Sequence, residues 1–161
     1  GFASFDSVGR GRIVQLINKT NQFNLTTRRY TEAQVLEMEA DPTVFTLQVR
    51  LSDRFGDNGM ISVVVCREKG TQWDIDVWLM SCRVLKRRVE ELVLEEIVRQ
   101  ARKKGITTLR GCWIPSGRND LDKQHYAKLN FRSLEERDGA TYWLLPVDEF
   151  VPFNPPIHLG G

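Results

Sequence analysis

Residues 81–91 read SCRVLKRRVEE, which puts a thiol, three consecutive basic side chains and the start of an amphipathic run side by side. The run from Lys86 to Lys104 carries Val89, Val93, Ile97 and Ala101 in one i+4 row, the pattern of a helix. A helix N-terminus exposes unpaired N–H groups and the positive end of the macrodipole, so it attracts anions. Lys86, Arg87 and Arg88 add charge at that end, against the helix's own preference for acids, which Glu90 and Glu91 supply. The pattern suits a phosphate or an acidic protein as partner; a solvated basic turn paired to those glutamates has the same sequence. Cys82 precedes this electropositive turn, a setting that makes a thiol nucleophilic, although free cysteine is more often a small buried apolar residue.

Four other stretches carry candidate chemistry. DIDV, residues 74–77, spells an aspartyl-phosphate nucleophile signature. Alternation explains it better: Trp73, Ile75, Val77 and Leu79 share one strand face and Asp74 and Asp76 the other. NKTNQFNLTT, residues 18–27, gathers amides around Phe23, and Asn21, Gln22 and Asn24 suit a hydroxylated ligand or an irregular backbone. DRFGDNG, residues 53–59, turns between strands, with Arg54 and Phe55 as extra residues that fit a partner contact or a bulged hairpin. Asn119, His125 and Tyr126 fall on or before a late helix, where a phenol can protonate a departing thiolate or simply edge the core. Asp74, Asp76 and His125 are candidate general bases.

The elements that must position these residues follow from periodicity. A leading helix spans Val8–Asn18 and a short strand Leu25–Tyr30. Thr31 and Gln34 form a capping box for a helix that stops before Pro42. VFTLQVRLSD, MISVVVCRE and TQWDIDVWLMS alternate and read as an antiparallel meander. The long helix ends at Gly105 and links strands that should lie parallel. Strand TTLRGCWI, helix LDKQHYAKL and strands FRSLEE and TYWLLPV complete one α/β domain. Residues 1–20 read as a leading helix that links to an upstream domain, 21–147 as the domain, and 148–161 as a proline-rich tail.

Composition narrows the partners. The 161 residues carry 23 Lys and Arg against 21 Asp and Glu, a net +2 that does not announce nucleic-acid binding. No apolar run approaches the roughly 20 residues of a membrane helix. Three scattered cysteines and two histidines give neither a disulfide framework nor a metal site, and point to a reducing, cytoplasmic setting.

NKTNQFNLTTRRY, DRFGDNGMISVVV, WLMSCRVLKRRVE and IPSGRNDLDKQHYAKLNF, with the order of elements, resemble the C-terminal domain of FkbH-like proteins. These are polyketide-pathway proteins in which a HAD-type domain precedes a domain of the GNAT acyltransferase fold. The resemblance implies a mixed, mostly antiparallel sheet flanked by helices. It also implies coenzyme A or the phosphopantetheine of an acyl carrier protein as cofactor, without metal. The activity it implies is loading a small glyceryl unit onto an acyl carrier protein. By position, Met80, Cys82, Arg83, Val84, Lys86, Arg87, Arg88, Val89 and Asn119 would line the pantetheine and phosphate side. Tyr126 would be the thiolate acid, and Cys82 could carry a thioester. The chain departs from the family pattern in two places. It reads VLKRRVE where VLGRGVE is usual, and LNF where LGF is usual, at Asn130. Lys86 and Arg88 obstruct close backbone approach to a pyrophosphate but can recruit a phosphate or an acidic carrier protein. A non-catalytic docking module that presents the carrier protein to the HAD domain is the alternative.

Overall fold

In the computed structural model, which describes residues 1–53, 56–85 and 87–155, the alternating stretches assemble into a seven-stranded sheet. Its strands are β1 (Phe2–Ala3), β2 (Val44–Asp53), β3 (Gly56–Lys69), β4 (Gln72–Met80), β5 (Thr108–Trp113), β6 (Arg132–Arg137) and β7 (Ala140–Pro146), in the order β1-β2-β3-β4-β5-β7-β6. Only β4 and β5 run parallel. A parallel pair needs a crossover, and the long helix α3 (Val89–Lys103) supplies it. Helices α1 (Arg10–Lys19), α2 (Glu32–Ala40) and α4 (His125–Lys128) complete an α/β architecture that is mixed, mostly antiparallel and helix-flanked, as expected.

Two apolar layers hold the sheet. On one face α1 and α2 bury Ile13, Leu16, Ile17, Val35 and Met38 against Val63, Val65, Val77 and Leu79. On the other, α3 and α4 bury Val93, Ile97 and Tyr126 against Val64, Ile75, Trp78 and Leu109. Each fully buried aliphatic side chain contributes roughly 1.5–3 kcal/mol. Residues 1–20 therefore supply part of the α1–α2 core, through Phe5, Ile13, Leu16 and Ile17. The Thr31–Gln34 capping box forms at the start of α2.

Several local expectations differ from what forms. Residues 25–30 make no strand; an isolated bridge, Asn24 to Leu79, lies just before them. The helix read as starting at Lys86 begins at Val89, because Cys82–Val84 form a 3-10 turn and Arg88 takes a left-handed conformation at φ 62°. Gly59 has φ 75° but lies inside β3 opposite Leu51, so its freedom serves a bulge rather than a tight turn. LDKQHYAKL splits into a 3-10 turn, Asp120–Asp122, and the single-turn α4.

The two faces of β4 are not as simple alternation has them. The register steps from Cys66–Ile75 to Val65–Val77, which leaves Asp76 as an extra, bulged residue. Trp73 and Ile75 therefore face α3, whereas Val77 and Leu79 face α1 and α2. A one-residue insertion flips every side chain beyond it.

Candidate functional site

β4 and β5 pair at only three rungs, Gln72–Thr108, Trp73–Leu109 and Asp74–Arg110. Beyond Asp74 the two strands part, next to the Asp76 bulge, where extra twist is expected. The open edge of β4 then presents backbone groups with no strand beside them. Residues Phe23–Thr26, which join α1 to α2, fill the gap. The Leu25 N–H donates to Trp78 O at 3.1 Å, and the Met80 N–H donates to Phe23 O at 3.0 Å. Across the gap, the Ile114 N–H donates to Leu25 O at 2.9 Å. Leu25 thus stitches β4 to the end of β5, and Thr26 adds a 2.8 Å bond from its hydroxyl to Asp76 O.

Asn119 and Asn24 hold this strap in place. The Asn119 amide donates to Asn24 O and Ile114 O, both at 2.9 Å, and its oxygen accepts from the Ser116 N–H. Asn24 accepts from the Thr27 N–H and donates to Thr20 O, which fixes Thr27 at φ 54°. Both asparagines are fully buried. Their amides are committed to backbone, the second of the two roles that the sequence allows for Asn24.

Beneath the strap lies an aromatic cluster. His125 meets Phe23, Trp78 and Tyr126 edge-on at centroid distances of 5.1, 4.3 and 5.2 Å. The Tyr126 ring packs under Gly111 of β5, where a Cβ would fall 2.5 Å from its Cζ. That close approach explains a glycine inside a strand. Burial pushes the Tyr126 hydroxyl far above its usual range, with the Cys112 N–H opposing the rise. Burial also lowers His125 to about 3, assisted by Lys128, so it is a neutral ring at physiological pH. Asp122 goes the other way, raised to about 7 by burial, although the Trp113 indole N–H donates to it at 2.8 Å. Among the described residues, the Trp78 Nε1, Asp122 Oδ2, His125 Nε2 and Tyr126 hydroxyl find no partner in hydrogen-bonding geometry.

The α1–α2 face of the same parting holds charge. Asp76 is buried and accepts from Arg28 and from the Tyr30 hydroxyl, with Arg67 at 3.4 Å. Burial first, then Asp76, raises the Tyr30 phenol. Cys112 lies beside them with its thiol pushed up by burial. Asp74 pairs with Lys69 at 3.0 Å.

At the mouth of the gap the exposed Cys82 thiol donates to Gln22 Oε1 at 3.3 Å, one residue before the strap. Asn21 accepts from Arg29 at 2.6 Å. Arg83 and Arg87 are exposed at the turn, whereas Val84 and Val89 are core and can offer only backbone. Arg88 pairs with Glu91 at 2.8 Å, the self-paired alternative for that side chain. The Arg54, Phe55 and Lys86 readings lie outside the described residues. The structure therefore gathers Asn24, Met80, Asn119, His125 and Tyr126 around one gap, with Gln22 and Cys82 at its mouth. Sequence reasoning missed Leu25 and Thr26, and missed the pairing of Asp76 with Arg28, Tyr30 and Arg67. Gly111 was the one signal in the sequence that a side chain approaches β5 closely. Among the described residues no cluster of His, Cys, Asp and Glu could hold a metal, and no helix is long and apolar enough to cross a membrane.

No protein-family model matches the chain, and no curated protein sequence is significantly similar to it. Solved structures are similar. The ribosomal-protein-S18-alanine N-acetyltransferase from Escherichia coli superposes with a TM-score of 0.69 at 13% identity, over 96% of this chain and 97% of that one. The GNAT domain of S. lividans PAT gives 0.69 at 14% identity, over 90% and 89%. An aminoglycoside 6'-N-acetyltransferase complexed with coenzyme A gives 0.68 at 11% identity, over 91% and 97%. The chain has the GNAT acetyltransferase fold.

Proposed function

We propose that this domain handles a small acyl group carried as a pantetheine thioester, on coenzyme A or an acyl carrier protein. The carrying observation is the parting of β4 from β5. There the open-edge groups Trp78 O and Met80 N bond to the strap Phe23–Thr26. An amide-bearing pantetheine arm can use the same donor and acceptor once the strap withdraws. The fold shared with a neighbour that is complexed with coenzyme A supports this reading.

The resemblance to FkbH-like proteins supplies the finer version, in which a glyceryl unit is received from an upstream HAD-type domain and passed to an acyl carrier protein. In that version Cys82 exchanges the acyl group with the carrier's pantetheine by thioester exchange: one thiol attacks the carbonyl of the other sulfur's thioester. The old acyl carbon–sulfur bond breaks as the new one forms, and the proton of the attacking thiol ends on the departing sulfur. Cys82 is exposed and stands at the mouth of the gap, which suits a carrier protein's long arm. Tyr126, neutral because it is buried, could relay that proton only at the foot of the gap with the strap displaced. Exposed Arg83 and Arg87 would meet the phosphate of the arm.

The filled gap and the committed Asn119 amide favour a second reading, a non-catalytic module that docks the carrier protein. Intact-mass analysis of the chain after incubation with an acyl-loaded carrier protein separates the two. An acyl adduct that disappears in Cys82→Ser supports transfer. Carrier binding without adduct supports docking. Absence of both carrier and acetyl-CoA binding ends the thioester reading.

A further inference from the structure

On the α1–α2 face, where β4 and β5 part, lies a cavity of about 210 Å³. Four cations line it, Arg28, Arg67, Lys69 and Arg110, and two carboxylates, Asp74 and Asp76. Four positive charges against two negative leave a surplus of two. Asp76 is the buried anchor: its side chain is only 7% exposed, and Arg28 and Arg67 both converge on it. One carboxylate cannot use the five donors of each guanidinium, so donors remain for a second anion. Arg110 contributes from the other strand. Its guanidinium lies 4.5 Å from the Tyr142 ring centroid, which orients it, and its carboxylate partner Glu135 is 3.6 Å away and not part of the cavity lining.

All four cationic side chains keep part of their surface open, from 28% for Arg110 to 70% for Lys69. An incoming anion can therefore reach them without breaking the Asp76 contacts. The volume holds about seven waters, which fits an inorganic phosphate or a short acid and is too small for a nucleotide. A guanidinium matches a carboxylate and a phosphate equally well, through paired N–H donors.

We infer that this cavity is a binding site for a compact oxyanion, a carboxylate or phosphate group of a small molecule. Its place at the parting makes it the pocket for an acidic function on the transferred group or its acceptor. That role rests on the thioester reading; the binding itself does not.

Calorimetric titration of the chain at low ionic strength with inorganic phosphate, and separately with malonate, tests the inference. Saturable one-to-one binding of at least one of them is expected. Arg110→Gln should weaken it about tenfold, as loss of a charge-assisted contact does. Arg12→Gln, an exposed charge on α1, should leave it unchanged and so controls for net charge. Arg67→Gln is the second variant if Arg110→Gln fails to fold. Phosphate alone binding assigns a phosphate ligand, and malonate alone a carboxylate. No saturable binding of either, or equal weakening by Arg12→Gln, overturns the site. Acyl-carrier activity with no anion binding would remove this inference and spare the thioester reading. Anion binding with no thioester activity would do the reverse.

Discussion

At the scale of single residues, the buried polar groups of α4 and its preceding turn set how stability responds to pH. Asp122 is raised from its ordinary 3.8 to about 7, so the folded chain holds a proton there that the unfolded chain releases. Its stabilisation is complete below about pH 4 and is lost as pH rises to about 7. His125 is depressed from 6.5 to about 3, so its contribution is present above about pH 6.5 and lost as pH falls through that window. The two slopes oppose each other between about pH 4 and 6.5. Asp122→Asn keeps an acceptor for the Trp113 indole and removes one slope. Its thermal midpoint relative to the wild type should therefore climb steadily from pH 4 to 7. Parallel melting curves for the two proteins would show that Asp122 is ionised throughout. Residues at this scale were unevenly legible. Gly111 in a strand announces a close neighbour, but nothing in the sequence says that the neighbour is Tyr126. The plain alternation read across DIDV breaks at the Asp76 bulge. The partners of Asp76, which are Arg28, Tyr30 and Arg67, come from two distant segments that only the fold brings together.

At the scale of elements, two of the residues that set this chain apart from the FkbH-like pattern, Arg88 and Asn130, sit on glycine-like backbone. Arg88 has φ 62° and Asn130 φ 68°, both in the left-handed region. Asparagine tolerates that region; arginine is strained there. The left-handed turn before α3 thus carries an arginine, which is tied to Glu91. Arg88→Gly should relieve the strain and lose only an exposed i,i+3 pair, raising the thermal midpoint by about 2–4 °C. A lower midpoint would mean that the Arg88–Glu91 pair outweighs the backbone. Strands and helices with strong periodicity, β2 to β4 and α3, were readable because burial imposes a clear period. Residues 25–30 were not. Their apolar and β-branched content resembles a strand, but the segment bonds to two diverging strands at once and makes no ladder. The Asp76 bulge was equally hidden, since an inserted residue leaves local alternation looking intact.

At the scale of the whole molecule, the sheet has an interruption and the chain repairs it with its own α1–α2 connection. Removing the strap would expose Trp78 O and the Met80 and Ile114 N–H groups and uncover the Phe23–His125–Trp78 cluster. Each buried polar group left unpaired costs about 1–3 kcal/mol, so the gap stays filled until something replaces those contacts. A pantetheine arm carries amides that can do so, and then strap and thioester exclude each other. Hydrogen exchange reads this competition directly. In the free chain the Leu25 and Thr27 amides, bonded to Trp78 O and the Asn24 side chain, should exchange slowly. With saturating acetyl-CoA or acyl carrier protein they should exchange about tenfold faster or more, while Val64 and Leu79 in the sheet stay protected. The Leu25 amide is diagnostic, because only the strapped state gives it a partner on β4. Greater protection at Leu25 on thioester binding would place the arm elsewhere and leave the strap as a permanent part of the sheet. In that event the domain keeps the acetyltransferase fold without its open cleft, and carrier docking becomes the function that the closed surface can serve.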